Sequence, residues 1–237
     1  MFRGLLYFLK LSLYWLIFFT AYRLCFILIY PNKIPTGKYG EAWYSFCYGF
    51  RLDLATISYL ITIPLILWTL QQFMKKNFLN RINHFYNLAM ISVITLLCIS
   101  NIAMYGEWNS LINYNTLFYL VVPAKVFPYL TTLELIGVCI GMAVVIAIFV
   151  LLFRVMILMV IPYSTSNRIK KIVVIASLFP VVFIIMRGGT QQAPISEIGS
   201  CHSDTQFINH VSINPVWHLG HMSLLALQDL EDSEANK

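Results

Sequence analysis

The sequence predicts an all-α membrane protein: about five transmembrane helices followed by an extracytoplasmic C-terminal linker. Hydrophobic residues make up 59% of the 237 positions and charged residues only 11%, too little charge to cover the surface of a soluble domain of this length. The mean hydropathy is +0.74. The apolar residues come in continuous runs instead of one-sided stripes, which makes lipid the solvent for most of the chain. The basic residues sit beside those runs, so the formal charge of +6 reads as an orientation signal and not as a footprint for nucleic acid.

The first run, Leu11 to Tyr30, is interrupted only by Arg23 and is long enough to span a bilayer. Arg3 and Lys10 precede it as in a signal sequence, but no small-residue cleavage pattern follows, so an uncleaved first helix is expected. A polar turn, Pro31 to Gly40, comes next. The second run has its core from Leu54 to Leu70, preceded by aromatic residues from Trp43 to Phe50 that suit the headgroup level. The third run spans Tyr86 to Met104. A semi-polar stretch then reaches Thr132, with Pro123, Pro128 and several aromatics, and reads as re-entrant or interfacial. The fourth run extends from Leu135 to Ile161, apart from Arg154, and exceeds what a bilayer requires, so it should tilt or protrude. The fifth, Ile172 to Met186, is short and contains Pro180; Arg187 could extend it by snorkelling.

Orientation follows from the positive-inside bias. With a cytoplasmic N-terminus, Arg3, Lys10, Lys75, Lys76, Arg81, Arg154, Arg168, Lys170 and Lys171 lie inside, and Lys33, Lys38, Lys125, Arg187 and Lys237 outside, nine against five. The expected organisation is therefore a five-helix transmembrane domain over residues 1–187 and an extracytoplasmic juxtamembrane linker or tail over 188–237, in an inner membrane. The last fifty residues carry a modestly apolar stretch, Val216 to Leu230, and an acidic end, without a core sufficient for an independent domain.

Chemistry is sought first among charges inside membrane segments, because each is costly unless paired or hydrated. Arg51 and Asp53 stand at the outer end of the second helix, two residues apart and thus on different faces, so each needs another partner, such as Glu107 or Lys125. They read either as a polar pocket for a lipid headgroup or as a structural ion pair that fixes helix packing. Arg23 has the same two readings, with snorkelling as a further outlet. Glu107, Asn109, Asn113 and Asn115 supply a polar cluster that could bind a substrate or satisfy itself. The headgroup-binding candidates are Arg51, Asp53, Glu107 and Asn113. His202, His210, His218 and His221 lie in the tail and read as exposed loop histidines; no carboxylate or cysteine cluster completes a metal site around His218 and His221. The five cysteines have no C-x-x-C spacing and read as small buried residues. No phosphate loop, G-x-S-x-G or H-E-x-x-H occurs.

Several stretches resemble one family. Tyr48-Gly49-Phe50-Arg51-Leu52-Asp53-Leu54 is similar to the aromatic-Gly-x-Arg-x-Asp entry to the second helix of lipoteichoic-acid-synthase-like proteins, membrane-anchored members of the alkaline phosphatase/sulfatase superfamily. Glu107-Trp108-Asn109-Ser110 with Asn113-Tyr114 resembles the polar segment after their third helix. Arg187-Gly188-Gly189-Thr190-Gln191-Gln192-Ala193-Pro194-Ile195, then Ile208-Asn209-His210 and Ile213-Asn214-Pro215-Val216-Trp217, resembles the linker towards their catalytic domain, particularly in the Bacteroidetes-type branch. Lys125 departs from the pattern, which expects an acid there.

The resemblance implies transfer or hydrolysis of phosphate or sulfate esters outside the membrane, with a manganese-type divalent metal held by an extracytoplasmic catalytic domain. That domain's threonine nucleophile and metal ligands have no counterparts up to Lys237. The expectation is thus a membrane anchor, inactive alone, with no cofactor of its own and no catalytic residue. Its implied partners are membrane lipid and a phosphatase-like domain that could be separately encoded. The alternative is a stand-alone, non-enzymatic membrane scaffold for an envelope partner. A small transporter is disfavoured, since neither an inverted repeat nor a line of charges through the bilayer is present.

Overall fold

A computed structural model describes residues 2–74, 77–113, 132–157 and 167–235. The described elements are helical throughout: α1 (Phe2–Ile29), a 3-10 turn (Pro31–Lys33), α2 (Tyr39–Met74), α3 (Asn77–Trp108), α4 (Thr132–Met156), α5 (Arg168–Met186), a 3-10 turn (Glu197–Ser200), α6 (Gln206–Ser212) and α7 (Pro215–Ala235). Five of these helices, α1 to α5, are long and apolar enough to cross a membrane. A lipid-embedded chain must satisfy its backbone polar groups internally, and helices do so within one segment. The chain is thus an all-α, multi-pass membrane-type protein. Of the stretch read as re-entrant, residues 114–131, with Asn115 and Lys125, lie outside the described residues.

The helices reach beyond the apolar runs that mark them. α2 starts fifteen residues before Leu54, so the aromatic stretch before the core belongs to the same helix. α3 starts nine residues before Tyr86 because its polar positions are used for packing, not for loops. Asn83 donates to the Tyr7 hydroxyl at 2.8 Å, and Asn101 donates to the Tyr22 hydroxyl at 2.7 Å. These two rungs tie α3 to α1. Asn101 also accepts the backbone N–H of Ile112 at 2.9 Å, which holds the chain just after α3 against the bundle.

α1 presents Tyr7, Leu11, Tyr14, Trp15, Phe18, Phe19, Tyr22 and Phe26 to the interior, a three-and-four spacing that gathers large rings along one side. α2 is central and packs on α1, α3, α5 and both tail helices. Gly4 leaves room for the Trp68 ring of α2, which is fully buried. Pro64 lies inside α2 and has no N–H for the carbonyl of Leu60 four residues earlier; the Tyr86 hydroxyl donates to that carbonyl at 3.0 Å. Side-chain hydroxyls of Thr56, Ser58, Thr62 and Thr69 bond back to carbonyls four residues before them, so polar residues in the α2 interior stay satisfied.

α4 and α5 are peripheral, and large apolar side chains on both face outward, as lipid contact demands. α4 reaches α1 through Phe149 and Phe153, with the Tyr14 hydroxyl donating to the Phe149 carbonyl at 3.1 Å. Lys171, counted above among the loop cations, is buried at the start of α5 and donates to the Gln72 carbonyl at 3.1 Å. It thereby covers the exposed carbonyl end of α2, where the helix dipole favours a cation. At its other end α5 stops in a glycine cap. Gly188 and Gly189 have φ of +85° and +125°, and their N–H groups bond to the carbonyls of Ile185 and Ile184, each at 2.9 Å. This paired closure is the physical role of the Arg187-Gly188-Gly189 sequence.

Of the cysteines only Cys98 is buried; Cys25, Cys47, Cys139 and Cys201 are exposed, which corrects the reading of small buried residues. On α1 and α4 an exposed thiol faces lipid and needs no core to shield it.

Candidate functional site: a buried clasp between bundle and tail

The segment after α5 is not a loose tail. It returns to the bundle at the end where α1 stops and α2 begins, and buries Phe207, Ile208, Val211 and Ser212 of α6 against α1 and α2. Phe207 packs edge-on to Phe26 and close to Tyr105. Four side chains on α6 are too few for a separate core, but they complete one that the transmembrane helices leave open. That is why composition alone reads the segment as unstructured.

At the centre of this junction lies an ion pair that the sequence does not reveal. Arg23 of α1 and Asp53 of α2 are 2% and 1% exposed, and meet through two N–H···O contacts of 2.8 and 3.1 Å. Snorkelling is therefore not the outlet Arg23 uses; its guanidinium is held inside, with the Phe46 ring 5.7 Å away. Its remaining N–H groups donate to the Val211 carbonyl at 3.0 Å and the Ser212 carbonyl at 3.3 Å. Those two carbonyls belong to the last turn of α6, which has no helical donors for them. One planar guanidinium thus satisfies a carboxylate and a helix end together, a geometry its fork of donors suits.

Asp53 is bound from the other side by Asn214, whose amide donates at 2.8 Å. The Asn214 side-chain oxygen accepts the backbone N–H groups of Val216 and Trp217 at 3.0 and 3.2 Å. Asn214 is therefore the N-cap of α7, with Pro215 at the first helical position. The clasp joins α1, α2, the end of α6 and the start of α7 in one connected network. Gly49, one turn before Asp53, makes it possible: a Cβ there would fall well inside contact distance of the Ser212 carbonyl and the Arg23 guanidinium.

A second layer of contacts lies around the clasp. The His202 ring stacks on Tyr48 at 4.4 Å, and its Nε2 is 2.9 Å from the Glu41 carbonyl. Ser203 donates to the Glu41 carboxylate, and Asn209 closes the loop by accepting from the N–H groups of His202 and Ser203 at 2.9 Å each. His210 Nδ1 lies 2.9 Å from the Tyr105 hydroxyl, and His218 Nδ1 lies 2.5 Å from the Glu197 carboxylate. His202, His210 and His218 are thus packed against specific polar partners, and the His221 ring stacks on Trp217 at 4.7 Å, which corrects the reading of the four as exposed loop residues. Burial, reinforced by nearby His218 and opposed by Glu197, holds His210 below its ordinary value near 6.5. Although Cys201 is exposed overall, partial desolvation of its thiol and the nearby Glu197 carboxylate push the thiol up. Among the described residues no group of three or more His, Cys, Asp or Glu side chains could hold a metal ion.

The four headgroup candidates end in different places. Asp53 is closed inside the clasp, with Arg23 and Asn214 as partners in place of Glu107; Lys125 lies outside the described residues. Arg51 projects from another face, donates to the Gly188 carbonyl at 2.8 Å and lines a cavity of about 280 Å³ with Tyr48, Gln191, Pro194 and Ser200. Glu107 is exposed near the end of α3, and Asn113 lies in the segment after it. The structure brings Arg51 to the tail, Asp53 to α1, and neither to Glu107 or Asn113. Arg23, Asn214 and Gly49 are the residues that sequence reasoning missed as a set. The Asn-Pro pair before an apolar stretch was the one local signal available, since it marks a helix start. Comparison of the chain with protein-family models, with curated proteins and with solved structures gives no match.

Proposed function

We propose that this chain is the membrane-anchoring region of a lipoteichoic-acid-synthase/sulfatase-like system, and that it holds a phosphate- or sulfate-ester-transferring unit at the extracytoplasmic face of a bacterial inner membrane. The observation that carries the reading is the clasp. A simple tether needs no order after its last span, whereas here Arg23, Asp53 and Asn214 set both the position and the first turn of α7 relative to the bundle. Anything borne by or docked on α7 would sit at a defined position relative to the bundle, since Val216, Trp217 and Leu224 share one cavity wall with Thr56, Tyr59 and Leu60 of α2. The basic-residue asymmetry supports a cytoplasmic N-terminus and hence an extracytoplasmic α7. The cavity beside Arg51, open at the same end of the bundle, supports a lipid headgroup role for that residue. The divalent metal belongs to the transferring unit, and the chain by itself is inactive.

Two measurements test this. The purified chain in phosphatidylglycerol vesicles with manganese should release no diacylglycerol; release would overturn its inactivity. A photo-crosslinking residue at the exposed position Gln228 should capture, in native membranes, a polypeptide region with a metal-dependent phosphoesterase fold. Capture of an envelope protein without that chemistry would replace the proposal with the non-enzymatic scaffold.

A further inference from the structure

A second feature lies on the far side of α1 from the clasp. α1, α3 and α4 diverge to leave an apolar cavity of about 370 Å³, lined by Phe18, Tyr22 and Ile29 of α1, Ile99 and Ala103 of α3, and Phe149 of α4. From Phe18 to Ile29 it follows α1 for about 16 Å at the helical rise, close to the depth of one bilayer leaflet, about 15 Å. Its lining is almost wholly hydrocarbon and aromatic, as an acyl chain requires. Ala103 and Cys25 in its wall are exposed, so it opens sideways towards lipid.

The end of this groove nearest the tail carries a positioned cation. Tyr30 lines the groove and is fixed by donating from its hydroxyl to the Ile102 carbonyl at 2.6 Å. The Lys33 ammonium stands over the Tyr30 and Tyr105 rings, 5.5 and 5.4 Å from their centres, and donates to the Asn109 side chain. Among the described residues no carboxylate lies within ion-pair distance of it. A held ammonium with no carboxylate partner among the described residues, at the headgroup end of a leaflet-deep apolar groove, is complementary to an anionic amphiphile.

We infer that this groove binds one anionic phospholipid, with an acyl chain along α1, α3 and α4 and its phosphate at Lys33. The inference does not depend on the anchoring role proposed above. Native mass spectrometry of the delipidated chain, offered equal amounts of phosphatidylglycerol and phosphatidylcholine with the same acyl chains, tests it. One lipid should be retained per chain, with the anionic lipid preferred roughly fivefold, the effect of one interfacial cation. Lys33→Gln should bring the preference to about one while a lipid is still retained. Ala103→Phe fills the groove from its lipid side and should abolish retention with helicity unchanged; Ala21→Leu narrows it from the α1 wall and gives an independent reading. No retained lipid on the parent chain, no anionic preference, or full retention in both groove-filling variants would each overturn the site.

Discussion

Removing one member of the clasp tests the account most directly. Asp53→Ala leaves the Arg23 guanidinium, 2% exposed, without its carboxylate, and leaves the Asn214 amide without its acceptor. Breaking a buried pair from one side costs about 3–5 kcal/mol, because the surviving charge stays buried. The chain has a cheaper outlet, which is to release α6 and let water reach Arg23. A cost of about 4 kcal/mol in the docking equilibrium corresponds to about a thousandfold loss of protection from exchange. Hydrogen exchange of the detergent-solubilised chain should therefore show that loss in peptides covering 206–222, with α1 and α2 still protected. The double variant Arg23→Met with Asp53→Leu separates the charge from the clasp. Replacing both charges by apolar groups removes the buried ion, and in many proteins that exchange is neutral. Here the Val211 and Ser212 carbonyls and the Asn214 amide lose their partners, so the tail should still exchange fast while the bundle regains its stability. Unchanged protection of 206–222 in Asp53→Ala, or its full recovery in the double variant, would refute the reasoning.

Three further outcomes follow from the same geometry. Gly49→Ala should destabilise the chain by about 1–3 kcal/mol in thermal unfolding through overpacking against a backbone oxygen, whereas Gly40→Ala, which meets open space in the same helix, should not. Asn214→Ala removes an N-cap worth about 1 kcal/mol together with the Asp53 bond; Asn214→Asp keeps the cap but sets a carboxylate against Asp53, and should loosen the tail more than alanine does. His210 binds protons less readily folded than unfolded, with Tyr105, His218 and Glu197 around it, so its contribution to docking is intact above about pH 6.5 and declines as pH falls below it; exchange protection of α6 measured from pH 8 to 5 should show that decline, and His210→Gln should flatten it.

The clasp also explains why a costly ion pair sits here. An Asn or a Ser at position 53 could accept from Asn214, but it would leave a full positive charge at Arg23 unneutralised. An apolar residue at 23 would orphan the end of α6. The pair is thus a connector more than a stabiliser, in keeping with the small net gain expected of buried salt bridges. Gly49 belongs to the same device, since its missing side chain is where the α6 carbonyl end enters.

What the sequence by itself determines is the part governed by solvent and local geometry. Runs of apolar residues mark five spans, four of them long enough to cross a bilayer alone and the fifth only with its flanking residues, because backbone groups in lipid can be satisfied only within helices. The spacing of Arg51 and Asp53 places them on different faces whatever surrounds them. Helix ends are less legible: α3 extends past its apolar run because Tyr7 accepts from Asn83, and α2 because the tail packs on its early turns, where Ser45 donates to the Ile208 carbonyl. The partner of Asp53, thirty residues away on α1, and of Arg23, 188 residues away at Val211, are decided only by how the helices pack. A charge carries no record of which distant group will neutralise it. The tail shows the same limit, because its few apolar residues form no core alone and become structured only against the groove that α1 and α2 leave for them.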